Sequence, residues 1–328
     1  MASSHFESLL KARRGAIFSV MLLALSGHVA WCQTARPIKI VVPYTAGSPS
    51  DLLARLLADE INRAQGTTIV VENRPGASTA IGSEAVARAA PDGRTLLLAT
   101  TALLINPHLR KLSYDPLTSF EPICSLASSP TVVVVNGASP YRSLTDLLEA
   151  ARANPGVLTV AGVGPASTVH IGIEVLKRAA KVDLTFVPYP GPPPAVNALL
   201  GAHVTAIFVP YSAVEAQLKT GKLRALATSS RTRIEPLPEV PTLGEAGYKG
   251  FEMDIWFGVV VPAKTPKGIV SKLAGWFTAA LHIPEVRAPL AEQGLYPTGT
   301  CGADFGAFLR DRFDEYGRAI RDANIKEE

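Results

Sequence analysis

Small and hydroxyl-bearing residues follow a short apolar strand near the start of the chain and lead directly into a helix. Residues 40–42 are apolar and end at Pro43, and apolar residues then recur at helical spacing from Leu52 to Ile61. The first N–H groups of a helix have no partner within the helix and lie at the positive end of its dipole. Small side chains let a ligand approach those groups. The pattern therefore predicts a binding loop for an anion such as a carboxylate. The small residues of this loop are Thr45, Ala46, Gly47, Ser48 and Ser50.

The same pattern recurs in the second half of the chain. Residues 158–180 again form an apolar strand, a loop of small residues and an amphipathic helix. Two such loops in separate halves indicate a ligand that is held from both sides through its carboxylates or other anionic groups.

An acyl-transfer enzyme is the competing class, because Ser48, Ser50, Asp51 and His170 are the residue types that such a site uses. The sequence lacks a G-x-S-x-G elbow, however, and nothing indicates a general base held against these serines. Neither a G-x-G-x-x-G motif nor a P-loop lysine follows any strand, so no dinucleotide or nucleotide cofactor is expected. We expect a protein without catalytic activity, cofactor or metal.

The N-terminal segment is typical of a secretory signal. Lys11, Arg13 and Arg14 precede an apolar run over residues 16–25 that is too short for a stable membrane anchor. We expect residues 1–33 to be a signal peptide and the mature protein to be periplasmic. Lys and Arg are interspersed with Asp and Glu in the rest of the chain, which gives no reason to expect nucleic acid.

Two cysteines remain in the expected mature chain. Cys124 and Cys301 could form one disulfide in an oxidising compartment, or they could be two separate buried thiols. The sequence alone leaves both alternatives open, because it does not give the distance between the two Cα atoms.

The remaining pattern predicts an α/β protein. With 328 residues, 47% hydrophobic and 18% charged, the chain can form a large core and divide into two domains. Strands and helices alternate from Pro37 onward, which favours a mostly parallel sheet covered by helices. Strands are predicted at residues 40–42, 68–72, 94–100, 184–187, 204–209 and 223–228, and helices at residues 81–89, 143–153, 195–200, 212–220, 266–281 and 303–323.

Some segments connect these elements. Residues 106–122 are expected to be a connector, and the proline-rich residues 190–194 a rigid turn. Long apolar runs at residues 123–135 and 255–261 can cross twice between two lobes, and the C-terminal helices would then return to the first lobe.

Several long segments of the chain closely resemble the Bug receptors, the extracytoplasmic solute-binding proteins of tripartite tricarboxylate transporters. They include VVPYTAGSPSD, VVENRPGASTAIGSEAVARAAPDGRTLLLAT, INPHL, KLRALATSS and LPEVPTLGEAGYKGFEMDIWFGVVVPAKTP. The resemblance implies an α/β fold of the two-lobed periplasmic-binding-protein-like (type II) class with a hinge between two α/β domains. The expected division is residues 36–126 plus 253–328 for lobe 1 and residues 127–252 for lobe 2.

The resemblance also implies where the ligand binds. In this family two loops, one from each lobe, together bind a single carboxylate. By position these are residues 44–51, here named the first binding loop, and residues 163–170, the second binding loop. Tyr189 is a further candidate for the pocket wall. The expected ligand-binding residues are Tyr44, Thr45, Ala46, Gly47, Ser48, Ser50, Asp51, Val163, Gly164, Ala166, Ser167, Thr168, His170, Tyr189 and Val209.

Two of these residues have alternative roles. Asp51 would repel an anion if it faced the ligand, and the alternative is that it pairs with Arg55 one turn later and orients the loop. His170 could donate to a carboxylate or cap its own loop.

This sequence departs from the family pattern at three places. Ser48 replaces a glycine, Pro165 and Ala166 replace asparagine and glycine, and Val209 stands where members that take amino acids tend to have aspartate. An unpaired ligand ammonium would be costly to bury, so amino acids are disfavoured. The expected ligand is a di- or tricarboxylate or an aromatic acid, and the expected partners are the membrane subunits of the transporter. A ligand sensor for a membrane kinase is the alternative role, and we expect a monomer.

Overall fold

The computed structural model describes residues 36–164, 167–248, 253–322 and 324–325. The expected signal peptide, residues 1–33, lies outside the described residues, so it stays a prediction. Within the described ranges, no helix combines the length and the apolar character needed to cross a bilayer.

The first of two sheets contains the N-terminal strands and two strands from the C-terminal part of the chain. Its order is β2–β1–β3–β10–β4–β11, in which β1 is parallel to β2 and β3, and β10 is antiparallel to β3 and β4. Its strands are β1 (Ile38–Val42), β2 (Ile69–Asn73), β3 (Thr95–Thr100), β4 (Phe120–Ser129), β10 (Ile255–Pro262) and β11 (Tyr296–Pro297).

The second sheet repeats this arrangement. Its order is β7–β6–β8–β5–β9, with β6 parallel to β7 and β8, and with β5 antiparallel to β8 and β9. In each sheet three parallel strands are followed by one antiparallel strand, β10 or β5, and then by a strand that again runs with the first three; the first sheet adds β11, antiparallel to β4, at its edge. The strands are β5 (Thr131–Asn136), β6 (Thr159–Val163), β7 (Thr185–Tyr189), β8 (Ala206–Pro210) and β9 (Leu223–Thr228).

The chain passes between the sheets at two places. The apolar run at residues 123–135 is divided at Pro130, which separates β4 from β5 because proline cannot donate to a ladder. The chain returns between β9 and β10. The exact lobe boundaries stay a prediction, but these two passages are where a hinge between the lobes would act.

Helices cover both sheets. Three of the helices begin with side-chain caps: Ser48 and Ser143 accept from the backbone N–H groups of Asp51 and Asp146, and Ser167 accepts from that of His170. The helices are α1 (Pro49–Gln65), α2 (Ala80–Ala87), α3 (Thr101–Leu109), α4 (Leu144–Ala153), α5 (Thr168–Ala180), α6 (Pro192–Leu200), α7 (Glu215–Lys219), α8 (Lys267–Leu281), α9 (Pro284–Glu292) and α10 (Gly302–Asp322).

Three of these helices differ from the sequence-based expectation. Helix α3 begins directly after the expected strand, at Thr101, and extends into the expected connector, with Pro107 in its last turn, where only one helical hydrogen bond is lost. Helix α6 begins at Pro192, inside the expected rigid turn, because the first turn of a helix needs no N–H donors. Helix α9 was not predicted. These expectations were wrong because each of the three helices has a proline in its first or last turn, where a helix tolerates it.

The two faces of the first sheet contribute to different apolar cores, because successive side chains of a strand point to opposite faces. Ile40 and Val42 face one apolar cluster with α1 and α8, while Val41 faces the other side of the sheet. The cluster that contains Val41 continues through Trp256 and Phe305 to residues of the second sheet such as Val133. Apolar packing is therefore continuous between the two sheets, and it fixes the walls of the cleft between them.

Cys124 of β4 and Cys301, directly before α10, form a disulfide. The structure thus chooses between the two alternatives that the sequence left open. The bond joins residues 177 positions apart and ties the last helix to the first sheet.

Replacing both cysteines with serine should lower the free energy of unfolding by about 2–5 kcal/mol, because the disulfide restricts a long loop of the unfolded chain. Denaturant titration of the two proteins measures this difference. Reducing agent should destabilise the wild type and leave the double variant unchanged. Equal stability of oxidised and reduced wild type would contradict the assignment.

Candidate functional site

A cavity of about 720 Å³ lies between the two sheets and is lined by residues of both binding loops. The first loop contributes Tyr44, Ser48 and Ser50, and the second contributes Gly164 and Thr168. The loops follow strands of different sheets, so a ligand in this cavity can contact both of them. The sequence-based expectation that these loops face each other therefore agrees with the geometry.

Four helices begin at this cavity. The lining includes residues at the N-terminal ends of α1, α3, α5 and α6. The positive ends of four helix dipoles are thus directed to one space, and they favour a negatively charged ligand. Helix α6 contributes its dipole but few donors, since Pro192 and the two residues after it are prolines.

The start of α3 lies at the meeting point of the two loops. The Tyr44 hydroxyl is 2.8 Å from the Thr100 Oγ1, and the Thr168 hydroxyl donates to Thr101 Oγ1 at 3.0 Å. Thr100 occupies the N-cap position of α3 without capping it through its side chain. The first N–H groups of α3 are therefore available to a ligand at the point where the two loops join.

The charges that line this cavity favour an anion. Among the described lining residues, Arg110 carries a positive charge and no side chain is a carboxylate. Beside the hydroxyl and amide groups, apolar side chains form part of the wall, including Ile105, Leu109, Val169, Ile255 and Phe257. The cavity therefore combines an anion-binding end with an apolar body, as ligand sites usually do.

A second cavity, of about 680 Å³, has a different character. Its lining contains carboxylates, including Asp254, Asp304 and Asp311, beside Arg231 and Arg312. Asp254 accepts from two serine hydroxyls of the segment after β9. The mixed charges of this cavity give no selectivity for an anion, so we place the candidate site in the first cavity.

Asp51 holds the first binding loop from behind. Its Oδ2 accepts from the Gly47 N–H at 2.9 Å and from Arg55 Nε at 3.0 Å, and its Oδ1 accepts from Asn73 Nδ2 at 2.9 Å. The same Asn73 amide also donates to the Tyr44 carbonyl. Burial alone would raise the pKa of Asp51, but the hydrogen bonds from Arg55, Gly47 and Asn73 outweigh it and hold the pKa below its ordinary value.

The second binding loop is held by its own cap and by β7. Ser167 accepts from the His170 N–H and donates to the Val163 carbonyl, and the Gly164 N–H donates to the Tyr189 carbonyl at 2.9 Å. The His170 ring stacks on Phe186 with a centroid distance of 4.2 Å. Burial lowers the pKa of His170, which favours the neutral ring.

The structure brings about half of the predicted site residues to the cavity. Asp51 and His170 belong to the binding loops but do not line the cavity, while Val209 is buried in the apolar cluster of the second sheet. Ala166 lies outside the described residues. The predicted residues that line the cavity are Tyr44, Ser48, Ser50, Val163, Gly164, Ser167 and Thr168, and those outside its lining are Thr45, Ala46, Gly47, Asp51, His170, Tyr189 and Val209.

Sequence reasoning missed the wall that α3 provides. Residues 101, 105 and 109 recur at helical spacing and would have indicated a helix face, had Pro107 not argued for a loop. Ser78, which precedes α2, was also missed. The lining residues of this missed wall are Ser78, Thr100, Thr101, Ala102, Ile105, Asn106, Leu109 and Arg110.

Known proteins agree with this description. Residues 53–325 match the model of the tripartite tricarboxylate transporter family receptor. Protein BugT of Bordetella pertussis is 32% identical over 295 residues, which cover 89% of this chain and 90% of BugT. Among solved structures, periplasmic binding protein BugD is 33% identical with a TM-score of 0.68, covering 89% of this chain and 99% of that one. Rpa4515 of R. palustris with adipate is 31% identical with a TM-score of 0.71, covering 89% and 99%.

The two sheets and the cleft between them define a two-lobed α/β solute-binding protein, as the sequence predicted. The chain belongs to the tripartite tricarboxylate transporter receptor family, and its resemblance to the Bug receptors is confirmed.

The pH dependence of stability tests the role of Asp51. Its folded-state pKa is lowered, so its contribution to stability is complete above its unfolded-state pKa of about 3.9 and is lost as the pH falls through the folded-state value. The wild type should therefore lose more stability than Asp51→Asn between about pH 5 and pH 3. Thermal melts of both proteins across this range measure the difference.

Asp59→Asn, on the exposed face of the same helix, is the matched control and should follow the wild type. Parallel pH profiles for wild type and Asp51→Asn would show that the Asp51 network does not stabilise the loop.

Proposed function

We propose that this protein is a periplasmic receptor that captures a small organic carboxylate between its two lobes and delivers it to a tripartite tricarboxylate-type transporter. The observation that carries this proposal is the convergence of helix N-termini from both lobes on a cavity without a carboxylate in its described lining. The ligand carboxylate would cap the first turns of α1, α3 and α5. The hinge would close because a ligand that contacts both loops binds the closed arrangement better than the open one.

The ligand class is supported by the relatives as well as by the cavity. The solved structure of Rpa4515 contains adipate, and that protein is 31% identical to this chain over nearly its whole length. A dicarboxylate or an aromatic acid fits a cavity with an anion-binding end and an apolar body. An amino acid fits less well, since no lining carboxylate in the described ranges would pair with its ammonium group.

The proposal includes three statements about the cellular context. The protein is exported by its N-terminal segment, acts as a monomer in the periplasm, and hands its ligand to membrane subunits of the transporter. The family supports this partner. A sensor that signals to a membrane kinase would use the same cavity. The identity of the membrane protein that copurifies, a transporter subunit or a kinase, distinguishes the two roles.

We also propose that the receptor performs no chemistry on its ligand. The cavity hydroxyls of Ser48 and Ser50 have no general base among the described lining residues, and the His170 ring is stacked on Phe186. The Asp51 carboxylate is occupied by Gly47, Arg55 and Asn73. Incubation with carboxylates and their esters should return them unchanged, and any product would contradict this part.

Ser48 allows a test in which charge is changed and the helix cap is kept. Asp and Asn are both good N-cap residues, so Ser48→Asp and Ser48→Asn should preserve α1. The aspartate adds a negative charge to the cavity wall, and it should weaken carboxylate binding by about tenfold or more relative to the asparagine variant. Isothermal titration calorimetry measures both affinities.

The ligand for this test comes from a thermal-shift screen of di- and tricarboxylates, aromatic acids and amino acids, since binding to the native state raises the melting temperature. Equal affinities of the two Ser48 variants would place the ligand away from the first binding loop. A screen in which only amino acids raise the melting temperature would contradict the ligand class.

A further inference from the structure

A strained backbone segment faces the same cavity at some distance from the binding loops. Three consecutive residues that are not glycine have positive φ: Ala77 (45°), Ser78 (50°) and Thr79 (84°). This conformation costs free energy for residues with a Cβ atom, and most of all for a β-branched threonine. Strain of this kind persists where surrounding contacts impose it, and it concentrates at ligand sites.

Helix α3 supplies the contacts that impose this conformation. Asn106 Nδ2 donates to the Ser78 carbonyl at 2.5 Å. One turn further along, Arg110 Nη1 donates to the Ala77 carbonyl at 3.2 Å and Arg110 Nη2 donates to Ser78 Oγ at 3.1 Å. The Ser78, Asn106 and Arg110 side chains thus form one polar group, and all three residues line the cavity.

This polar group lies at the other end of α3 from the binding loops. Thr101, at the start of the helix, is bonded to Thr168 of the second loop, whereas Arg110 follows the last helical residue. The helix rises about 12 Å from Thr101 to Leu109. Ile105 and Leu109 line the cavity between these two ends. Along the helix the wall is therefore anion-binding, then apolar, then cationic.

We infer that Ser78, Asn106 and Arg110 form a distal subsite that binds the second anionic group of an elongated dicarboxylate. The inference rests on the proposed function, because the first carboxylate must occupy the binding loops. The apolar middle of the ligand then lies along Ile105 and Leu109. Arg110 is the residue that determines specificity, since a guanidinium binds a carboxylate through charge-assisted, paired hydrogen bonds.

A distal carboxylate would also meet the Ser78 hydroxyl, while Asn106 supports the subsite through the Ser78 carbonyl. The Ser78 hydroxyl accepts from Arg110, so a ligand oxygen near that hydroxyl is also near the guanidinium. Asn106 is buried and keeps the Ser78 carbonyl in place. The hydrogen bonds from Asn106 and Arg110 to the strained segment thus hold a hydroxyl and a cation side by side on the cavity wall.

The test compares ligands that differ only in the distal charge. A length series of saturated α,ω-dicarboxylates and the corresponding ω-carboxamides is titrated into wild-type protein by calorimetry. The best diacid should bind at least about tenfold more tightly than its carboxamide, because both hold the first carboxylate and only the diacid pairs with Arg110. In Arg110→Gln this preference should fall to about twofold or less, while carboxamide affinity stays within about threefold of wild type.

Two further variants separate recognition from support of the loop. Arg110→Lys keeps the charge without the planar fork and should retain an intermediate preference. Lys111→Gln removes an adjacent exposed charge outside the cavity lining and should behave as the wild type.

Each outcome assigns the result to one of the two proposals. If wild type binds diacid and carboxamide equally, the distal subsite is overturned and the proposed function stands. If Arg110→Gln loses both ligands to the same extent, Arg110 only supports the loop and the specificity role is overturned. If wild type binds no carboxylate at all, the proposed function itself fails.

Discussion

The unpaired N–H groups at the starts of helices are the constraint on which the rest of this structure depends. A helix end that is enclosed without partners is costly, and here the first turns of α1, α3 and α5, together with the dipole of α6, meet at one cavity. In the proposed function, water would bind these groups when the lobes are apart. An anion would bind them better when the lobes are together, because the dipoles of both lobes would then act on one charge in a space of lower dielectric.

The scaffold keeps negative charge away from this space although it uses a carboxylate to build it. Asp51 lies at the start of α1, where the helix dipole favours it, and its oxygens are occupied by Gly47, Arg55 and Asn73. Arg55 neutralises it from the solvent side. Asp51 therefore shapes the loop, and Arg55 compensates its negative charge so that it repels an anionic ligand less. The disulfide and the continuous apolar packing then fix the walls on which the loops are mounted.

The sequence predicted the parts of the site that have a local signature. A strand, a loop of small residues and an amphipathic helix can be recognised within one short stretch of sequence. Both predicted units are present, with Ser48 and Ser167 as caps. The pairing of Asp51 with Arg55 was predictable from their spacing in one helix. For His170, the sequence left two roles open, and the stacking on Phe186 depends on a strand that is distant in sequence.

The wall formed by α3 was beyond such reasoning for physical reasons. Its sequence is apolar on most sides, so the helical spacing of residues 101, 105 and 109 does not stand out, and Pro107 argues for a loop. Its neighbours create its exposed face: the strained segment around Ser78 and the two loops leave one side of it open to the cavity. The same dependence on distant neighbours explains why Val209, although in a strand next to the cleft, lies inside the apolar cluster of the second sheet.

A crystal structure with a carboxylate that stabilises the protein in solution tests this account most directly. We expect the ligand carboxylate to lie within about 3 Å of the first-turn N–H groups of helices from both lobes, beside the Thr101 hydroxyl at the start of α3. A ligand carboxylate bound to the arginines of the second cavity, or held by side chains of one lobe alone, would contradict the claim that converging helix ends from two lobes capture the anion.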